Sequence, residues 1–329
     1  MKGTVRFVLG GDAMLGRLVK EKIERVGPEY PLEKIVATMK QADLTLVNLE
    51  CAITSSERRW LGAPKAFYFS APPEAVQTLV GAGVNLVSLA NNHTLDYGEE
   101  GLLETIRLLR SHEIGFAGAG ANAKEARAPF FIERDGIKFG MVAYCDHQED
   151  FAAEVARPGI SYLDLRDEKG SLDLIREDLD LMRKAQVDWP ILSLHWGPNM
   201  IHRPADRFVR LAHAAIDCGY GLIFGHSAHV FHGIEIYRGR PIFYSAGDLV
   251  DDYYVDTDFK NDHQLLFELE LTRSELWRIV LHPVFIENCR ADTATGDQFE
   301  YIVRQITKLC TEMGTVVQRE ENQVWIDCL

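Results

Sequence analysis

The chain has 329 residues, of which 47% are apolar and 26% charged, and its 49 acidic residues outnumber 35 basic ones for a net charge of -14. Such a composition belongs to folded globular proteins and excludes intrinsic disorder. The negative balance repels nucleic acid phosphate and anionic lipid, and no polybasic block offsets it.

The expected partner is therefore a small-molecule or peptide-like substrate, with no nucleic acid and no membrane segment; oligomeric state is left open. The apolar run in "MKGTVRFVLGGDAML" is too short for a secretory signal, and no segment reaches the roughly 18 apolar residues of a membrane span. The expected location is the cytoplasm. Six cysteines, Cys51, Cys145, Cys218, Cys289, Cys310 and Cys328, are scattered without a Cys-x-x-Cys pair, as reduced thiols of a cytosolic protein are.

Strand-like "VRFVLG" is followed by the amphipathic "LGRLVKEKIERV", then by "LTLVNLE", "PPEAVQTLVGAG" with "VNLVSLA", and "EEGLLETIRLLRSH" with "IGFAGAG". Alternation of strand and helix predicts parallel strands in an α/β layer architecture. Segments 130–134 and 137–145 flank Asp135-Gly136, a hairpin signal. The stretch 146–162 reads as a long loop and "SLDLIREDLDLMRKAQ" as a helix capped by Ser171. A further strand-helix-strand unit spans "WPILSLHWG", "PADRFVRLAHAAIDCG" and "GLIFGHSAH". Two hairpins follow, "IEIY-RGR-PIFYSAG" and "HQLLFELEL-TRSE-LWRIVLHPVFI". With no repeat, low-complexity tract or linker, residues 1–329 read as one domain.

The polar residues of interest share one address, the carboxyl end of a predicted strand. Asp12 ends "VLGGD", Asn48 and Glu50 end "LTLVNLE", and Asn91, Asn92 and His93 end "LVSLANNH". His195 ends "ILSLHWG"; His226 and His229 end "LIFGHSAH". Crevices outside the carboxyl ends of strands are where α/β proteins place their sites. Carboxylates, amides and imidazoles gathered on one rim are a ligand set for one or two divalent ions such as Mn, Fe or Zn. His226 and His229, three apart, either reach one ion each or pinch one. His232 falls in the next strand-like run, Trp196 reads as core, and Asp248, Asp251 and Asp252 read as a solvated acidic loop. Arg17 reads either as a clamp for an anionic substrate or as a solvated helix arginine.

In order, "GGDAMLGR", "NLECAIT", "SLANNHTLDYG", "ILSLHWG", "GHSAHV" and "YRGRPIFYSAGDLV" resemble the bacterial capsule-synthesis CapA, or poly-γ-glutamate capsule (PGA_cap), family of the calcineurin-like metallophosphoesterase superfamily. The likeness covers residues 4–252; the strands and helix of 263–329 resemble it only loosely. It implies a four-layer αββα sandwich with mixed sheets and a two-metal cleft. By position, Asp12 and His229 would bind the first metal, Glu50 would bridge, and Asn92, His195 and His226 would bind the second. The implied catalytic residues are His93 as proton donor, with Asp12, Asn91 and Arg17.

Three departures stand out. The superfamily's Asp-x-His reads Asp12-Ala13-Met14 here, Glu50 stands where an Asp is usual, and Asn199 stands where many members carry Glu. The expected function is a metal-dependent hydrolase of a phosphoester or a peptide-like, γ-glutamyl bond. Two alternatives are a metal-independent peptide epimerase or acid/base enzyme, favoured by Met14, and a non-catalytic polyglutamate-binding protein, disfavoured by the net charge. His282 is a possible further contributor, more at home on a strand surface.

Overall fold

A computed structural model describes residues 3–328. Its first strand, β1 (Val5–Ala13), is buried at every residue but Arg6, as a central strand covered on both faces must be. Helix α1 (Arg17–Val26) leads to β2 (Leu44–Leu49), then come β3 (Leu86–Ser88), α2 (Gly98–Ser111) and β4 (Gly115–Ala117). These four strands are parallel neighbours. The hairpin of β5 (Phe130–Arg134) and β6 (Ile137–Cys145) turns on Asp135 and Gly136, both with positive φ, the backbone a two-residue hairpin loop favours.

Helix α3 (Glu168–Lys184) connects β6 to β7 (Trp189–His195), and α4 (Asp206–Cys218) connects β7 to β8 (Leu222–His226). β9 (Ile234–Tyr237) and β10 (Arg240–Phe243) form a hairpin, and β11 (Asp248–Val250) follows. The last part is β12 (His263–Leu271), β13 (Leu276–Glu287), β14 (Arg290–Thr293), α5 (Gly296–Glu312), β15 (Gln318–Glu320) and β16 (Gln323–Asp327). The larger sheet has the order β15-β16-β13-β12-β1-β2-β3-β4, with β11 beside β1 and β14 beside β13; the second has the order β9-β10-β8-β7-β6-β5. Both mix parallel and antiparallel pairs.

The side chains of the second sheet divide by the two-residue period of a strand. Phe139, Met141, Ile191, Phe224 and Phe243 join the core shared with the first sheet, where Phe7 meets Phe139 edge-on at 5.4 Å and Phe243 meets Phe267 at 5.0 Å. Their neighbours Val142, Tyr144, Leu192, Leu194 and Ile223 face the other way, onto Ile175 and Leu179 of α3 and Phe208, Leu211 and Ala215 of α4. The result is an α/β sandwich of two facing mixed sheets. Among the described residues no helix is long and apolar enough to cross a membrane.

One helix starts earlier than its sequence suggests. Asp167, not Ser171, caps α3, its carboxylate accepting from the Gly170 amide at 2.9 Å. Ser171 lies within the first turn, its hydroxyl donating to the Asp164 carbonyl.

The chain's most consequential crossing is at Gly11. β12 pairs with β1 from Val5 to Leu9, and β11 then takes over at Asp12 and Ala13. The Asp12 amide donates to the Gly247 carbonyl at 2.9 Å, and a Cβ on Gly11 would lie only 1.8 Å from that oxygen. Gly11→Ala is expected to destabilise the fold by about 2–3 kcal/mol through overpacking, read by urea unfolding; a loss below ~0.5 kcal/mol would show the crossing to be pliable.

Candidate metal centre

Strand register assembles the centre. Asp12 pairs with Asn48 on one side and Asp248 on the other, and His195 is level with His226. After β8 the chain turns through Ser227 and His229, both at positive φ (103° and 58°), conformations non-glycine residues keep only where their surroundings impose them. The turn aims the Ser227 amide at Asp12 Oδ2, 3.1 Å away. It also brings His229 Nδ1 to 2.9 Å from Asp248 Oδ1 and 3.7 Å from Asp12 Oδ2.

Two groupings of ligand atoms result, each within 4.8 Å: Asp12, His195 and His226, and Asp12, Glu50, His229 and Asp248. Asp12 belongs to both, so the shared position falls on Asp12. Glu50 still reaches toward the other grouping, its Oε1 3.8 Å from His195 Nε2. Asn48 Nδ2 donates to Asp12 Oδ1 at 2.7 Å, Tyr253 OH donates to Glu50 Oε2 at 3.1 Å, and Ser193 Oγ lies 2.9 Å from His226 Nε2. The Nδ1 atoms of His195 and His226 face each other at 2.8 Å.

Burial dominates the electrostatics. It raises the Asp12 carboxyl to about 6 despite His229 and Asn48, and it raises Glu50 and Asp248 well above the carboxylate range, with Asp12 adding repulsion to each. It lowers His226 to about 3 and His195 well below the usual value, the latter further depressed by His226. His195 and His226 are therefore held neutral, their ligand form, beside buried carboxylates. Asn92 Oδ1 and Asp248 Oδ2 are buried without hydrogen-bond partners. Neutral imidazoles and buried carboxylates whose ligand atoms lie within 4.8 Å of one another fit divalent cations.

Asp12, Glu50, His195, His226 and His229 thus come together, while the buried Asn92 oxygen joins neither grouping through a hydrogen bond. His93 stands beside them, Nδ1 2.6 Å from Asp96 Oδ2 and its ring stacked on Phe69 at 3.9 Å; burial lowers its pKa to about 4. Asn91 is a brace: its amide donates to Asn48 Oδ1 and the Leu49 carbonyl, while its oxygen accepts from the His93 amide and the Thr94 hydroxyl. No edge of it is left for a substrate. Arg17 is at the rim, outside both groupings.

The acidic run after β10 corrects the expectation of a solvated loop. Asp248 and Asp251 are buried, as is the Asp252 side chain. Asp248 adds a carboxylate oxygen to the grouping of Asp12, Glu50 and His229, while Met14 turns into the apolar core. His232 is buried between strands, Nε2 2.7 Å from the Ile201 carbonyl, so it holds the loop after β7. Trp196 is core, Asn199 is exposed, and His282 bonds Glu268 on the sheet surface.

Two site neighbours carried no recognised motif. His147, just past β6, stands edge-on to His195 at 5.7 Å; burial opposes its charge, but Asp146 and Cys145 raise it to about 10. Lys65 donates to Asp96 Oδ1 and to the Asn92 carbonyl. The available signal was "CDH" closing a strand, the same grammar as the other ends.

The family described as bacterial capsule synthesis protein PGA_cap matches residues 6–253. A capsule biosynthesis protein CapA of Bacillus anthracis is 29% identical over 250 residues, covering 74% of this chain; the match takes in 58% of that relative's length. A probable polyglutamine synthesis accessory protein of Mycobacterium tuberculosis is 30% identical, over 97% of this chain and 94% of its own. The crystal structure of a hypothetical protein from Thermus thermophilus aligns over 87% of this chain and 95% of its own, at TM-score 0.45 and 16% identity.

His195→Ala and His226→Ala are each expected to abolish metal retention by elemental analysis, and Asp248→Asn to lower it; full retention in the histidine variants would remove the first grouping. A second outcome concerns pH. A carboxyl raised from 3.8 to about 6 in the fold stabilises it below its unfolded pKa and withdraws that contribution as pH climbs through the folded one. In EDTA the wild type should lose about 2–3 kcal/mol relative to Asp12→Asn between about pH 4 and pH 7, and Mn should close the gap. Urea unfolding checks this; a pH-independent difference would refute it.

Proposed function

The chain belongs to the PGA_cap family of bacterial capsule synthesis proteins, and from that premise we propose that it is a metal-dependent hydrolase of the metallophosphoesterase type. Its expected substrate bond is a phosphoester or a peptide-like, γ-glutamyl linkage. The observation that carries the reading is the pair of buried ligand groupings meeting at Asp12 beside an oriented imidazole.

His195, His226 and Asp12 with Asn92 would hold one ion, and Asp12, Glu50, His229 and Asp248 the other. Divalent ions such as Mn, Fe or Zn supply Lewis acidity, activating water and offsetting charge that develops on the reacting group.

The protein's own groups supply orientation and proton transfer. With Nδ1–H donated to Asp96, neutral His93 keeps its lone pair at Nε2. It can take a proton there and return it to the departing oxygen or nitrogen, while Asp96 stabilises the imidazolium in between. Phe69 holds the ring by stacking, and the Tyr253 hydroxyl fixes the Glu50 carboxylate. Trp60 packs edge-on to Phe151 at 5.1 Å, and the Lys65 ammonium lies over the same Phe151 ring.

A metal-independent acid/base enzyme drew its support from Met14. Asp248 fills that gap, which favours the metal-dependent reading.

His93→Gln is expected to lower kcat about a hundredfold or more while metal content stays at the wild-type level. The check is hydrolysis of bis(p-nitrophenyl) phosphate, p-nitrophenyl phosphate and γ-glutamyl p-nitroanilide after reconstitution with Mn, Fe or Zn. No turnover of any of them by the wild type would count against the proposal.

A further inference from the structure

We propose that Arg17 recognises a second anionic group on the substrate, a carboxylate or phosphate borne a short aliphatic spacer away from the bond that is broken. The inference rests on the hydrolase reading for the position of that bond.

Arg17 occupies a place no structural arginine prefers. Its backbone is left-handed, at φ 51°, which costs a non-glycine residue free energy. It is also the first residue of α1, where the helix dipole disfavours a cation, and the first turn holds no acidic residue. The compensation comes from Asp252, far along the chain, whose side chain is 1% exposed. One of its oxygens accepts from the Leu18 amide at 2.9 Å and lies 3.3 Å from Arg17 Nε. That brace engages the inner edge of the guanidinium. The two terminal nitrogens donate no hydrogen bond among the described residues, and the side chain is 35% exposed.

The guanidinium lies over two aromatic rings, 5.4 Å from the centre of Phe67 and 5.8 Å from that of Phe69. Phe69 is the ring on which His93 stacks at 3.9 Å. It also stands 5.9 Å from Tyr253, whose hydroxyl bonds Glu50. A continuous aromatic shelf therefore runs from Arg17 to the proton-transfer residue and the ligand carboxylate, with Phe67 57% exposed along its outer end. Cation–π contact with two rings and the Asp252 brace restrain the guanidinium, and a restrained fork with two free donors suits bidentate grip of an oxyanion. The exposed ring offers apolar surface to a methylene spacer. On a chain of net charge -14, a cation aimed beside the reacting centre selects for a substrate that carries its own negative charge.

The test is binding, read apart from turnover. Calorimetry on Mn-incubated protein compares butyrate, glutarate and 3-phosphonopropionate, which share a carboxylate and a similar spacer but differ in the second head group. The wild type is expected to bind at least one two-headed probe about tenfold more tightly than butyrate. Glutarate leading points to a carboxylate, phosphonopropionate to a phosphate. Arg17→Gln and Arg17→Gly, the latter suited to the left-handed backbone, should erase that advantage; Arg17→Lys should retain part of it. Elemental analysis of the same samples reports metal loading, so failure of the metal reading shows separately from failure of this one. Equal affinity for all three probes, or an advantage that survives in Arg17→Gln and Arg17→Gly, overturns the proposal.

Discussion

The constraint on which the rest depends is the burial of several carboxylates at one rim. Asp12, Glu50, Asp248 and Asp251 are each at most 4% exposed, and among the described residues no cation stands at ion-pair distance from the first three except as histidine. Removing such charges from water costs several kcal/mol per group unless something compensates. Hydrogen bonds from Asn48, Ser227 and Tyr253 offset part of this. The remainder explains the neighbouring design, in which His195 and His226, held neutral by burial, stand against Asp12. A purely structural rim would have exchanged these residues for apolar ones at no loss of stability.

Much of this was legible in the residues themselves. β-Branched runs alternating with amphipathic ones, each ending in Asp, Asn, Glu or His, give both the sheet direction and the common edge. The hairpin at Asp135-Gly136 and the strands that follow are equally plain. Register and burial were not legible. Asp248 lies in a run of three acids that looks solvated, and only the pairing of β11 with β1, made possible by the bare backbone at Gly11, puts it beside Asp12. Asn91 and Asn92 are chemically the same in sequence. They differ because one amide turns inward to Asn48 and the other leaves its oxygen free.

The C-terminal strands, which lie past the matched family region, are not ancillary. Gln264 at the start of β12 is fully buried and donates from Nε2 to the His229 carbonyl at 3.0 Å and to the Asn261 carbonyl at 2.8 Å. Its amide thereby holds the left-handed turn that aims His229, and Asn261 in turn ties down the strap carrying Tyr253 by accepting from the Asp256 amide and donating to the Tyr254 carbonyl. A residue strained at positive φ persists only where its surroundings over-determine it. Here part of that determination comes from a strand contributed late in the chain, so the centre cannot be complete until the first and last thirds have paired.

The segments 55–66 and 146–162 acquire a role from where they meet. Trp60 packs on Phe151 and donates to Asp150 at 3.1 Å, and Lys65 lies over Phe151 while bonding Asp96 and the Asn92 carbonyl. Asp96 is the carboxylate bonded to His93 Nδ1, and Asn92 is the residue whose side-chain oxygen is buried without a hydrogen-bond partner. The ammonium of Lys65 therefore ties loop position to both Asp96, the partner of His93, and the Asn92 backbone through one buried point. Loops are where substrates are chosen, because their sequence can change without disturbing a sheet. In this fold such changes are confined to the segments on either side of Lys65, since moving the lysine itself would release His93 and Asn92 together.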